Sequence, residues 1–199
     1  SESAAPEETA PVEEESPLAF PVTVTDQAGR TVTIESEPER IVSGYYISTS
    51  LLIALDQEDK LVGIEAKADK RPIYRLSAPE LIDLPNVGTA KEFDLEGCAA
   101  LEPDLVILPI KLQNSVPTLE ELGLTVLLVN PENQQLLDEA VELVSTAPGS
   151  QAEAMELAAF SAEQHAWLEE TLAEAEAPTV YLAGNSSMLS TAGSAMYQN

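Results

Sequence analysis

The sequence predicts an α/β fold: a parallel sheet flanked by helices in a Rossmann-like lobe, with a β-hairpin before it and a long helix after it. Three observations lead there. Short apolar runs alternate with helix-patterned stretches from Ile41 to Val144; a period-two pattern around a glycine turn precedes them; and residues 151–175 run without a single Gly or Pro.

The hairpin is read from PVTVTDQAGRTVTI, where Val22 and Val24 alternate with polar residues before Gly29, and Val32 and Ile34 after it. RIVSG then gives a short strand at Ile41 and Val42, with Ser48 or Thr49 expected to cap a helix through Leu55. LVGI (61–64) is a strand, and 65–86 reads mainly as loop with a short helix near Pro79 to Ile82. NVG (86–88) is a brief strand. A helix from Asp94 is separated by Pro103 from the buried strand Asp104 to Leu108, because proline stops helices and favours extension before it. TLEELG is a helix ended by Gly123, TVLLV (125–129) a strand, and Pro131 is expected in the first turn of a helix carrying Leu136, Leu137, Ala140, Val141 and Val144. The Gly- and Pro-free stretch is a helix of roughly 37 Å at 1.5 Å per residue, with Leu157, Phe160, Trp167, Leu168 and Leu172 along one stripe. That is longer than one small lobe needs, so it reads as a strut. TVYLAG after Pro178 opens a new strand.

Charge narrows the function classes. The 199 residues hold 35 Asp and Glu against 9 Lys and Arg, a formal net charge of −26. Such a chain repels DNA, RNA and anionic lipid surfaces. One Cys and one His exclude an intramolecular disulfide and a four-ligand structural zinc site. No apolar run is long enough for a membrane span, and no hydrophobic signal segment opens the sequence. Residues 1–19, acid-rich and interspersed with Ala, Pro and Ser, read as a disordered tether, either a spacer holding a domain off a surface or an inert tail. All nine bases lie between Arg30 and Lys111; residues 112–199 contain none.

VTVTDQAGRTVTI, PERIVS, LVGI, PNVGTAKEFDLEGCAALEPDLVILP, LEELGLTVLLV, a long helix, TVYLAG and STAG occur in an order that resembles class III periplasmic-type substrate-binding proteins of ABC importers, the receptors for ferric siderophores, haem and cobalamin. Leu95-Glu96 followed by Leu101-Glu102-Pro103-Asp104-Leu105-Val106-Ile107 is the most specific piece. The resemblance implies two α/β lobes joined by one rigid helix, with ligand in the cleft between them. On this reading 20–149 is the first lobe, 150–176 the interlobe helix and 177–199 the beginning of a truncated second lobe. It also implies an extracytoplasmic location, with lipid anchoring through an N-terminal cysteine absent from this chain, and an ABC permease as partner.

Ligands of open α/β sheets bind outside the carboxyl ends of the strands. After IVS come Tyr45 and Tyr46, able to stack on a planar or oxygen-rich ligand unless one packs under the following helix, with Tyr46 the stronger candidate for that. After LVGI come Glu65, Lys67, Lys70 and Arg71, with Arg75 beyond; Lys91 follows NVG and Lys111 follows VILP. Lys67, Arg71, Lys91 and Lys111 suit an anionic chelate, against the alternative of surface bases balancing local acids. Where the cobalamin branch of the family sandwiches a corrin with aromatics, this sequence has Ala90 and Lys67, which speaks against a corrinoid and favours an anionic ligand such as a ferric siderophore; a haem or corrinoid receptor of the same family is the alternative. The resemblance makes Glu96 the carboxylate that docks on permease arginines; a helix dipole would also favour a Glu in this first turn. Cys98 reads as a small buried side chain, and His165 as solvent-facing with no metal-ligand pattern around it. No intrinsic cofactor or metal is expected. No GxSxG, GxxxxGK, GxGxxG or HExxH motif points to an enzyme. A ligand-free adhesion or interaction domain, or a cytosolic enzyme domain, on the same scaffold are the competing classes. The uncovered strut and terminal strand predict some self-association.

Overall fold

The computed structural model describes residues 19–176. The tether over 1–18 and the second-lobe strand beginning after Pro178 lie outside the described residues.

Strands β1 (Val22–Thr25) and β2 (Thr31–Ile34) form the antiparallel hairpin, with Val22 opposite Ile34 and Thr25 opposite Thr31. The main sheet contains β3 (Ile41–Ser43), β4 (Leu61–Ile64), β5 (Leu105–Pro109) and β6 (Thr125–Val129), all parallel, in the order β4-β3-β5-β6. The crossovers use α1 (Tyr46–Ala54), α2 (Pro72–Ser77), α3 (Leu95–Ala100) and α4 (Val116–Glu121), and α5 (Gln134–Thr146) and α6 (Gln151–Leu172) follow β6.

Period two along each strand sorts the core onto two faces. Ile41, Ile64, Leu105, Ile107, Leu127 and Val129 face Leu52 and Leu55 of α1, Leu143 and Val144 of α5, and the hairpin's Val32 and Ile34. Val42, Val106, Leu108, Val126 and Leu128 face Cys98, Val116 and Leu119. Both sides of every central strand are buried, which is why these runs read as continuously apolar.

Backbone groups are engaged at both edges of the sheet. On β6, Leu128 N donates to Asp26 Oδ2 at 3.2 Å, Leu128 O accepts from Gln27 N at 3.0 Å, and Asn130 N donates to Gln27 Oε1 at 2.6 Å. Val126 O accepts from Arg30 Nη1 at 3.3 Å, and Arg30 is itself paired with Asp26 and Glu120. On β4, Ile64 N bonds Pro85 O at 3.0 Å, Val87 N bonds Ile64 O at 2.9 Å and Ala66 N bonds Gly88 O at 2.8 Å. Residues 85–88 therefore run parallel to β4 like a fifth strand. The NVG expectation is met as single bridges at Asn86 and Gly88.

Several local expectations are corrected. Helix α1 begins at Tyr46, so Ser48 and Thr49 lie inside its first turn and are buried; instead of capping, the Ser48 hydroxyl bonds back to Tyr45 O at 2.8 Å and the Thr49 hydroxyl donates to Glu65 Oε2 at 2.7 Å. Pro131 lies ahead of α5, whose cap is Asn133, its side chain accepting from Leu136 N at 2.9 Å. In the stretch 65–86 the short helix expected near Pro79 to Ile82 is present as the 3₁₀ segment Pro79–Asp83, but α2 and a further 3₁₀ turn at Ala68–Lys70 replace much of the expected loop, and the stretch contributes Tyr74, Ala78 and Leu81 to the core. Helix α6 ends at Leu172, three residues short of the expected stop. Only Ala154 and Leu157 of α6 pack on the core, and from residue 158 onward its described residues are exposed, including Phe160, Trp167, Leu168 and Leu172. Cys98 is fully buried and burial pushes its thiol up to about 11; His165 is exposed.

Candidate functional site

The carboxyl ends of β3, β4 and β5 and of segment 85–88 lie side by side at one edge of the sheet, because parallel strands point the same way. Each predicted ligand-binding residue lies in the segment that follows one of them. Tyr45 and Tyr46 follow β3, Lys67 and Arg71 follow β4, Lys91 follows Gly88, and Lys111 follows β5.

The tyrosines divide in the reverse of the expected sense. Tyr45 is half-buried against the core, whereas Tyr46 is 44% exposed at the first turn of α1. Their rings meet edge to face, 5.1 Å between centroids at 73°. The Arg71 guanidinium carbon lies 4.4 Å from the centroid of the Tyr46 ring, a cation–π stack on the exposed tyrosine.

Lys67 takes a left-handed conformation, φ 70°, which turns the chain from β4 into the 3₁₀ turn Ala68–Lys70. Lys91 sits in a tight turn in which Thr89 Oγ1 accepts from the backbone N–H groups of Lys91 and Glu92, both at 3.2 Å. The turn closes back onto the sheet through Phe93, which packs with Val42 and Leu108. Lys111 is the second residue of the 3₁₀ segment Ile110–Ser115.

The nine bases fall into two groups. Arg30 pairs with Asp26 and Glu120, Lys60 with Glu37, Lys70 with Asp69, and Arg71 with Glu65. Arg40 donates to Leu101 O and Glu102 O, and Arg75 to Asp69 O. Among the described residues, the side chains of Lys67, Lys91 and Lys111 make neither an ion pair nor a hydrogen bond, and all three are exposed. In a chain this acidic, three bases left without a carboxylate at one edge of the sheet form the concentration of positive charge open to an incoming anion.

Behind Tyr46 lies a buried polar cluster. Glu65, 5% exposed, accepts from Arg71 Nε at 2.9 Å and Tyr74 Oη at 2.7 Å through Oε1, and from Thr49 Oγ1 at 2.7 Å through Oε2. Thr49 and Ser48 hydroxyls lie 2.8 and 2.9 Å from Ser43 Oγ. Burial first, and the Glu65 carboxylate second, hold the Tyr74 phenol above its usual range, so it serves as a donor. Sequence reasoning noted Glu65 without assigning it a role and missed Tyr74 and Thr49. The available signal was a carboxylate directly after a buried apolar strand, six residues before an arginine.

Glu96 is exposed in the first turn of α3, where Asp94 caps the helix by accepting from Gly97 N at 2.8 Å. No group of three or more His, Cys, Asp or Glu that could hold a metal ion occurs among the described residues. No helix among them is long and apolar enough to cross a membrane.

Residues 41–197 match the sequence profile of the periplasmic binding protein family. The chain belongs to this family. It is 30% identical over 143 residues to an uncharacterized ABC transporter substrate-binding lipoprotein of Bacillus subtilis, covering 69% of this chain and 43% of that protein. A cobalamin-binding protein of Halobacterium salinarum is 28% identical over 109 residues, 54% of this chain and 28% of its own. Among solved structures, the iron uptake ABC transporter substrate-binding protein of Streptococcus pneumoniae is similar with a TM-score of 0.64 and 27% identity, over 78% of this chain and 54% of that one. The chain thus spans less than half the length of the curated relatives it matches. The parallel sheet, the preceding hairpin and the long helix are those of the class III binding-protein fold.

Proposed function

We propose that this chain is the first lobe of an extracytoplasmic solute receptor that captures an anionic ferric siderophore and delivers it to an ABC permease. The observation that carries the reading is the trio Lys67, Lys91 and Lys111, left without partners at the ligand edge of the sheet beside the exposed Tyr46. The lysines attract and hold the chelate's negative charge, while Tyr46 and the Arg71 guanidinium meet its flat or oxygen-rich surface. No bond is made or broken. The likeness to an iron-uptake receptor supports the iron chelate, and the lipoprotein relative supports anchoring through a cysteine outside this chain.

The cobalamin-binding relative favours a second reading, a corrinoid receptor. Against it stand Ala90 and Lys67, where a corrin sandwich calls for aromatics. Titrating the intact protein with a ferric tris-catecholate, with cobinamide and with haem, followed by intrinsic fluorescence, decides between them. Binding of the ferric complex alone is expected; binding of cobinamide alone would sink the siderophore reading. Glu96 is proposed as the permease-docking carboxylate. Glu96→Lys should abolish uptake in reconstituted vesicles with ligand affinity unchanged, and normal uptake would remove it from that role.

A further inference from the structure

We infer that Glu65 is a positioning residue: it takes the Nε edge of Arg71 and thereby holds the guanidinium over the Tyr46 ring, leaving its two terminal nitrogens for the ligand. The inference rests on the receptor reading above and adds to it the side chain that sets the geometry of the arginine. Arg71 Nε donates to Glu65 Oε1 at 2.9 Å, and its guanidinium carbon stands 4.4 Å from the Tyr46 centroid. Among the described residues no hydrogen bond engages Nη1 or Nη2, and the Arg71 side chain is 31% exposed against 7% for Glu65. One edge of the fork is thus occupied inside the protein and the other is left for an oxygen pair.

Glu65 is itself immobilised. Thr49 and Tyr74 donate to it at 2.7 Å each, from α1 and α2, so the carboxylate is tied to both helices that frame the ligand edge. The same two helices carry Tyr46 and Arg71 at their starts. A flexible arginine on a surface loses rotamer freedom when it binds; one already held in place loses less, and its hydrogen bonds to the ligand are correspondingly more effective.

The substitution Glu65→Gln sets two effects against each other. Gln keeps the shape, and its amide group can donate to Thr49 Oγ1 while Thr49 donates to Ser43 Oγ, 2.8 Å away. It removes a negative charge next to the ligand edge, which by simple electrostatics tightens binding of an anion. It also removes the charge that holds Arg71, which by positioning weakens binding.

The test is carried out on the intact protein with ferric tris(2,3-dihydroxybenzoate) as probe, together with ¹⁵N-detected NMR of the Arg71 Nε–H, assigned by its loss in Arg71→Lys. E65Q should weaken binding about tenfold, the loss of one charge-assisted contact, and the slowly exchanging Nε–H signal should disappear. Equal or tighter binding by E65Q, or an unaltered Nε–H signal, would overturn the proposal. Should E65Q fail to fold, Arg71→Lys serves: it keeps the charge and loses the fork, so it should also bind about tenfold more weakly, and wild-type affinity would overturn the proposal. A wild-type protein that shows the protected Nε–H signal but does not bind the ferric probe overturns the iron-chelate reading and supports the held geometry of Arg71.

Discussion

Gly88→Ala is expected to be the most damaging single-methyl substitution near the ligand edge. Gly88 has φ 86°, a region that costs an L-residue roughly 1–2 kcal/mol. A Cβ there would also lie 2.1 Å from Glu92 O, a backbone atom that no rotamer change can move aside. Relieving that contact opens the turn held by Thr89 N to Glu92 O at 3.1 Å and Glu92 N to Thr89 O at 3.2 Å, each contributing about 1 kcal/mol. The total is about 3–4 kcal/mol. Gly123, φ 83° with nothing within 4 Å of an added Cβ, provides the control, because Gly123→Ala carries the backbone term alone. Urea unfolding of the two variants should therefore differ by about 2 kcal/mol, or roughly 4–8 °C in Tm for a domain of this size. Since the turn carries Lys91, Gly88→Ala should also weaken binding of an anionic ligand while Gly123→Ala does not. Equal destabilisation by the two substitutions would refute the argument from the close contact.

Replacing Lys67, Lys91 or Lys111 singly by Gln should lower affinity for a ferric tris-catecholate by roughly three- to tenfold, with the difference shrinking as salt is raised. Lys70→Gln, whose ammonium is engaged by Asp69 at 2.9 Å, should leave it unchanged in the same fluorescence titration. Cys98, buried with its thiol pushed up to about 11, should resist a thiol-reactive disulfide at pH 8 in the folded protein and react at once in urea. Rapid labelling of the native protein would contradict the burial. The exposed Phe160, Trp167, Leu168 and Leu172 on α6 should drive weak self-association in sedimentation runs. It should strengthen with salt, because no base follows Lys111 and like charge opposes contact at low ionic strength. A monomer at every concentration and salt would argue against it.

The fold was legible where local pattern and tertiary environment agree. Leu61–Ile64 and Thr125–Val129 are buried on both faces, so an uninterrupted apolar run could mean little else. Asp94 and Gly123 mark helix ends by chemistry that needs no partner. The stretch 65–86 was harder, because its helical turns are short and its order comes from Tyr74, Ala78 and Leu81 inserting into a core assembled from distant segments. Ser48 and Thr49 have the composition of caps, but the Tyr45 carbonyl and the buried Glu65 carboxylate take up their hydroxyls. The edge-of-sheet rule picked out, without the structure, the loops that carry the candidate residues and that the parallel sheet brings to one edge. That the three lysines lack partners while the other bases are engaged could not be read from the sequence, since every pairing beyond the shortest range depends on which segments the sheet brings together.

The hairpin has a consequence for what the domain can and cannot join. Through Asp26, Gln27 and Arg30 its turn engages Val126 O, Leu128 N and O, and Asn130 N on the outer side of β6, and segment 85–88 engages Ile64 at the carboxyl end of β4. Among the described residues, each side of the sheet thus has backbone groups already engaged, which leaves less of it open to a stray extended polypeptide and works against growth into cross-strand aggregates. Encounters with other proteins are left to helix faces, which can be engaged and released without rewriting the backbone pairing of the domain.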